Sequence, residues 1–235
     1  MLTLVMAYYE NPVMLAHHLH EWRAWSARAR KEIAVVIVDD GSPRNPAIDV
    51  LTGFDSLQLS LYRVDVNIPW NQDGARNLAM KAAQTDWTLM TDMDHLLLPS
   101  EADRLLDMPK QRGYYYMPAR RTIAGKRCEP HFNSYVMHRK DFWRIGGYDE
   151  DFAGFYGSDG NFRRRMKAYK AREVETEAFY LTQVFSTDVA DSNTREWGRK
   201  KTEWAVSGNS ALKAKNAAPP YVASDPLRFP YRRLI

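Results

Sequence analysis

The chain has 235 residues, of which 45% are hydrophobic and 26% charged. That is ordinary globular composition for one large domain, or one domain with an extension, and it excludes disordered and collagen-like classes. No run approaches the ~18–20 apolar residues of a membrane span, and the N-terminus lacks a basic leader region, so a cytoplasmic protein is expected. The single cysteine, Cys128, excludes an internal disulfide framework and a cysteine-built zinc site.

The net charge of +4 is unevenly spread. Residues 1–110 carry 10 Lys and Arg against 15 Asp and Glu, while residues 111–235 carry 23 against 14. The acidic half suits a cation site, and the basic half faces something else.

In chain order, Leu2 to Ala7 reads as a buried strand followed by the loop Tyr8-Tyr9-Glu10-Asn11-Pro12. Pro12 suits the first turn of a helix running to about Ala29, with Leu15, Leu19, Trp22 and Trp25 facing inward. His17 and His20 on this helix have metal-ligand spacing but no carboxylate or cysteine partner. The apolar run Ile33–Val38 is a central parallel strand ending in Asp39-Asp40-Gly41-Ser42, and Leu57–Val64 is a third strand. Trp70 to Gly74 reads as a loop and Ala75–Ala83 as a helix.

That helix feeds the strand Trp87–Met90, which ends in Asp92-Met93-Asp94. Extended backbone points Asp92 and Asp94 to one side and Met93 to the other. A solvated acidic turn would look the same. However, ligands of an open α/β sheet gather at the carboxyl ends of its strands, where Tyr8–Asn11, Asp39–Asp40 and Asp92–Asp94 all emerge. Two hard oxygen ligands suit Mg²⁺ or Mn²⁺, with a diphosphate completing the shell.

Beyond the acidic turn, Pro99–Met108 is a short helix and Tyr114–Met117 strand-like. Arg120–Arg127 is a basic hairpin turning at Ala124-Gly125, and Asn133–His138 is a strand. Lys140–Ile145 is a helical turn ended by Gly146-Gly147, and Ser158 or Asp159 opens a helix to about Ala171. Glu177–Phe185 is a further strand, Thr194–Val206 a last helix, and the rest a proline-containing tail.

With these motifs in place, the chain resembles nucleotide-sugar glycosyltransferases of the GT-A fold over roughly residues 1–185. The first half is similar to family 2 enzymes through Val38-Asp39-Asp40-Gly41-Ser42, Gly74-Ala75-Arg76-Asn77 and Thr91-Asp92-Met93-Asp94. Ile145–Phe152 and Gly157–Arg165 resemble the galactosyltransferase C-terminal motif. The resemblance implies an α/β fold with a mixed, mainly parallel, Rossmann-like sheet flanked by helices. Residues 1–110 would be the donor half, 111–185 the acceptor-side half, and 186–235 a basic helical or irregular extension.

It also implies roles. Asp40 would accept a hydrogen bond from a uracil-like base, with Tyr8 or Tyr9 packing beside it and Asp39 close by. Arg76 would lie near the nucleotide, Asp92 would hold the ribose or a metal-bound water, and Asp94 the metal. Asp159 would be the general base for the acceptor hydroxyl, implying inversion at the anomeric carbon. Trp70, Trp143, Phe155 and Tyr156 could stack on sugars, although core packing would use them equally well.

Two departures stand out. Ser158-Asp159 replaces the family's Glu-Asp, and the strand Tyr180–Phe185 lacks the late metal-binding histidine of many relatives. Asp188, Gln183 or a water is then expected at that position, with His95, His131 and His138 as weaker substitutes. A sugar nucleotidyltransferase is the enzyme alternative, but Ala7–Asn11 has no Gly-rich phosphate loop. A neutral-glycan glycosyltransferase and an inactive nucleotide-sugar or nucleic-acid binding module are further alternatives. The basic clusters Arg120-Arg121, Lys126-Arg127, Arg163–Arg165, Arg199–Lys201 and Arg232-Arg233 point to a polyanionic acceptor, either nucleic acid with a hydroxylated base or a phosphate-containing glycan.

Overall fold

A computed structural model describes residues 1–55, 57–68, 70–193, 208–217, 219 and 221–235. The expected helix over Thr194–Val206, with the cluster Arg199–Lys201, lies outside the described residues.

One mixed sheet organises the chain. Strand β1 (Leu2–Tyr8) sits between β2 (Ile33–Asp39) and β4 (Trp87–Thr91), and β3 (Leu59–Val64) flanks β2, all four running parallel. Beyond β4 come β8 (Tyr135–His138), β6 (Tyr114–Thr122), β9 (Arg172–Gln183) and the short β5 (His95–Leu96). The β7 strand (Arg127–Cys128) closes the expected hairpin on β6. Because β4 pairs with β8 and β5 pairs with β9, residues 1–110 and 111–185 share one sheet.

Alternation along β1 divides the core. Leu2, Leu4, Met6 and Tyr8 face helices α1 (Pro12–Arg23), α2 (Ala27–Glu32) and α3 (Ala47–Leu51), whereas Val5 faces α4 (Gln72–Ala82). The single helix expected over Pro12–Ala29 is instead α1 and α2. Ser26 restarts the second by accepting the Ala29 amide at 2.9 Å, the usual chemistry of a helix N-cap. The intervening Trp25 is buried and donates its indole N–H to Leu97 O at 3.0 Å.

Helix α4 starts at Gln72, earlier than expected, so Asp73 and Gly74 are helical. Gly74 is required by close approach, since a Cβ there would lie 2.7 Å from the Phe229 ring. Helices α5 (Pro99–Asp107), α6 (Arg139–Arg144), α7 (Asp159–Ala168) and α8 (Ser210–Ala217) complete the α-helices among the described residues. The tail returns to the sheet as β10 (Tyr231–Arg233), antiparallel to the otherwise open edge of β3. Among the described residues no helix is long and apolar enough to cross a membrane.

Candidate functional site

The carboxyl ends of β1, β2 and β4 meet at one edge, where the expected residues divide by job. Asp39 is fully buried and committed to the fold. Its Oδ1 accepts the Ser42 amide at 2.8 Å, and its Oδ2 accepts the Ala47 amide at 3.0 Å and Arg63 Nη1 at 2.9 Å. Gly41, at φ +75°, makes the turn that lets this happen, and a Cβ there would lie 2.4 Å from Val66 O. Asp40 accepts Asn71 Nδ2 at 3.1 Å. Burial, reinforced by neighbouring Asp39, pushes its carboxyl well above the usual range.

The two tyrosines separate as well. Tyr8 is buried and donates to Asn45 O at 2.5 Å, so its ring belongs to the core. Tyr9 is half-buried and donates to Asn67 Oδ1 at 3.2 Å. Glu10, at φ 53°, fastens the adjoining loop by accepting the Arg44 amide at 2.9 Å and Asn45 Nδ2 at 2.8 Å.

At the end of β4, Asp92 and Asp94 are partly exposed, at 29% and 19% of the side chain. Asp92 Oδ1 accepts Arg76 Nη2 at 2.7 Å, and its Oδ2 lies 3.8 Å from His131 Nε2. Burial opposes ionisation of Asp92, yet Arg76 and then His131 hold its carboxyl below the usual value. Asp94 Oδ2 accepts Gln183 Nε2 at 3.0 Å. Arg120 can only donate, so its 2.8 Å contact to His95 Nε2 places the ring proton on Nδ1. That atom is 2.6 Å from Asp94 Oδ1 but too misaligned for a hydrogen bond. Burial would raise Asp94, but the neighbouring His95 ring, with help from Gln183 and His131, brings its carboxyl down to about 2.

Asp94 Oδ1, buried and without an aligned hydrogen bond although His95 Nδ1 lies 2.6 Å away, is the atom that fits a divalent cation. Asp94 would be its protein ligand, with Asp92 beside it. Among the described residues no three His, Cys, Asp or Glu side chains form a cation cage. Asp188 instead accepts the Phe185 amide at 3.0 Å, closing its own turn. Gln183, one of the residues expected near the late-histidine position, braces Asp94 and accepts from Arg120. His17 and His20 are exposed, whereas His18 is buried and donates to Met93 O at 2.8 Å beneath the acidic turn.

Arg76 ties the two sides together. It is 1% exposed, lies over the Tyr148 ring at 5.1 Å, and its Nη1 donates to Asp159 Oδ1 at 3.1 Å. Asp159 is the first residue of α7 and 34% exposed, so its carboxylate combines a fixed anchor with access to solvent. The preceding Ser158 makes no helix cap; its hydroxyl donates to Asp73 Oδ1 at 3.1 Å. Reading Asp73 as a loop residue concealed its part here, although its i, i+3 spacing to Arg76 was the available signal.

With this geometry established, the comparisons are specific. The glycosyl transferase family 2 model matches residues 3–172. The chain belongs to glycosyl transferase family 2. That span holds the acidic turn, Arg76 and Asp159 together.

No curated protein matches the sequence. Residues 1–349 of TarS from S. aureus share the fold at TM-score 0.60 and 15% identity, over 85% of this chain and 64% of that one. The mannosyltransferase PcManGT from Pyrobaculum calidifontis, in complex with GDP-Man and Mn²⁺, gives TM-score 0.61 and 14% identity over 94% of this chain and 66% of that one. GalNAc-T7 with UDP, GalNAc and Mn²⁺ gives 0.62 and 12% over 78% and 43%. The chain therefore spans about two thirds or less of each, and its GT-A sheet is what they have in common.

Most described members of the expected basic clusters are already engaged. Arg163 forms a bidentate pair with Glu173, its Nη2 reaching Oε1 at 2.7 Å. Arg164 donates to Asn216 Oδ1 at 2.6 Å. Arg165 is buried and donates to Ile145 O and Gly147 O. Arg127 pairs with Glu177 at 2.7 Å and Arg232 with Asp65 at 2.9 Å.

Proposed function

We propose that this chain is an inverting, divalent-metal-dependent glycosyltransferase, moving a sugar from a nucleoside-diphosphate sugar to an acceptor hydroxyl. One observation carries the reading: Arg76 spans Asp92 on the donor side and Asp159 on the acceptor side. The expected base thus stands one guanidinium away from the expected diphosphate site. That arrangement suits attack on the face opposite the leaving group, with Asp159 accepting the hydroxyl proton.

Asp94, with Asp92 beside it, would hold Mn²⁺ or Mg²⁺, which would supply electrostatic stabilisation of charge on the leaving diphosphate. Arg76 sits where it can take up the same charge through its paired N–H groups. Asp40 recognises the base, with Tyr9 rather than Tyr8 beside it. A UDP-sugar is the favoured donor, with the Asp40 carboxyl placed to accept the N–H of uracil.

The polyanionic acceptor has narrower support than the sequence suggested, since Arg163, Arg165, Arg127 and Arg232 are committed to internal partners. It now rests on the exposed β6–β7 hairpin, where Arg121 and Lys126 flank the edge that carries Arg120 towards His95.

The deciding experiment is a panel of UDP- and GDP-sugars, tested by thermal shift and by donor hydrolysis with and without Mn²⁺. Metal-dependent stabilisation and turnover by one donor is the expected result. Binding without turnover, in the presence of glycan and DNA acceptors, identifies an inactive binding module. The salt dependence of the acceptor KM then tests the polyanion.

A further inference from the structure

Asp73 is sealed from the space that substrates enter, its side chain being 1% exposed. Its Oδ1 accepts the Ser158 hydroxyl at 3.1 Å and lies 3.9 Å from Arg76 Nη1, while its Oδ2 is buried without a hydrogen-bond partner. A carboxyl there is costly unless its charge has a use. The same Nη1 donates to Asp159 at 3.1 Å. Two carboxylates therefore share one guanidinium nitrogen, and pairing with arginine makes a carboxylate a poorer proton acceptor.

Resting on the reading of Asp159 as the base, we propose that Asp73 is a positioning residue for it. When ionised, Asp73 takes a share of the Arg76 charge and leaves Asp159 a better acceptor for the hydroxyl proton. No covalent step occurs at Asp73, and the proton goes from the attacking hydroxyl to the Asp159 carboxylate. The group is poised to do this near neutrality. Burial, opposed by Arg76 and reinforced by Asp159, pushes its carboxyl up to about 7. The charged and titratable groups around it are Arg76 on its own helix, Asp159 and Arg165 on α7, Tyr148 and Asp149 in the preceding loop, and Asp40 at the end of β2. The two arginines favour the ionised form; the others oppose it.

The sign follows directly. Below about pH 7 Asp73 is neutral and Arg76 bears on Asp92 and Asp159 alone; above it, the ionised Asp73 shares Arg76 with them. The raised value also means that stability from the neutral form is fully present below the unfolded value near 4 and lost by about 7.

The test measures hydrolysis of UDP-glucose, UDP-GlcNAc, UDP-galactose and GDP-mannose with Mn²⁺ from about pH 5.5 to about pH 8.5, in wild type, Asp73→Asn and Ser158→Ala. Asn is isosteric and still accepts from Ser158. Wild-type hydrolysis should rise through about pH 7 and Asp73→Asn should lack that rise, turning over several-fold more slowly at the alkaline end with unchanged donor KM. Ser158→Ala should move the rise to higher pH, because it removes a hydrogen bond that favours the charged form of Asp73. An Asp73→Asn enzyme with the wild-type rate and pH profile overturns the proposal.

Wild type hydrolysing none of these donors counts against the glycosyltransferase reading separately. In that case the Asp159 ¹³Cγ shift decides the proposal. A second inflection near pH 7 in wild type, absent from Asp73→Asn, supports it; the same titration in both proteins defeats it.

Discussion

Arg76 Nη2 lies 2.7 Å from Asp92 Oδ1, joining the second turn of α4 to the end of β4 through an arginine side chain that is itself 1% exposed. A buried arginine among carboxylates is stable only as a complete set, since each partner offsets the desolvation of the others. Arg76→Ala should therefore cost about 3–5 kcal/mol in unfolding free energy, the usual penalty for leaving buried charge without its partner. Arg76→Lys should fold better but bind donor poorly, because an ammonium cannot span Asp92 and Asp159 at once. Denaturant melts and donor titration of both variants check the pair. A lysine enzyme with wild-type donor affinity would show that the fork geometry is not used.

Asp94→Asn tests the cation site. The Asn side chain can keep the contact with Gln183 but loses the charge at the unpartnered oxygen. Mn²⁺ affinity, read by calorimetry or by electron paramagnetic resonance, should fall by ~100-fold or more while the fold persists, because a ligand outranks the outer-shell partners worth 10–100-fold. The metal-free protein gives a second readout. The folded Asp94 value of about 2 lies below the ordinary carboxyl value of 3.8, so its stabilisation is present above the latter and lost as pH falls through the former. Wild type and Asp94→Asn should therefore converge in stability between about pH 4 and about pH 2.

Asp159→Asn should leave donor affinity near wild type and reduce transfer by ~10²-fold or more, as expected when a general base is removed. The variant keeps an oxygen for Arg76, so loss of fold would not explain loss of rate. Donor affinity by calorimetry and single-turnover transfer separate binding from chemistry. Near-normal transfer would leave Asp159 as an anchor for Arg76 alone.

The legible parts of this molecule are those whose signal is local. The β1, β2 and β4 strands are continuous apolar runs, and each ends in polar residues that a reader can mark before seeing a coordinate. The Arg76–Asp159 contact closes over 83 positions, and no periodicity in the chain announces it; only the family resemblance put both residues near one site. Asp39 and Asp40 look equivalent on paper, yet strand alternation turns the first into the core and leaves the second beside Asn71. Asp73 and Gly74 read as a turn because both residues are common in turns. In the structure both are helical, and Phe229, from the far end of the sequence, packs against Gly74, a position with no side chain. The β10 strand was missed for the same reason: three exposed residues carry no apolar pattern, and their pairing comes from the edge they cover.

That tail yields the last prediction. Glu150 is completely buried and receives the Leu227 amide at 2.7 Å, the Arg228 amide at 3.1 Å and Asn77 Nδ2 at 2.8 Å. Phe229 then packs on α4 at Gly74, and β10 pairs with β3 through Tyr231–Arg233. Removing residues 221–235 would strip Glu150 of two donors and leave β3 an open edge, which invites strand addition from another copy. The truncated chain should lose several kcal/mol, since each unsatisfied buried group costs about 1–3 kcal/mol or more when charged, and it should associate in solution. Phe229→Ala is milder: it leaves both amides on Glu150 and the β10 pairing in place, and should cost about 1–3 kcal/mol through lost packing. Denaturant melts and light scattering distinguish the two. A truncated chain as stable and monomeric as wild type would mean that the strap is dispensable and that the β3 edge needs no cover.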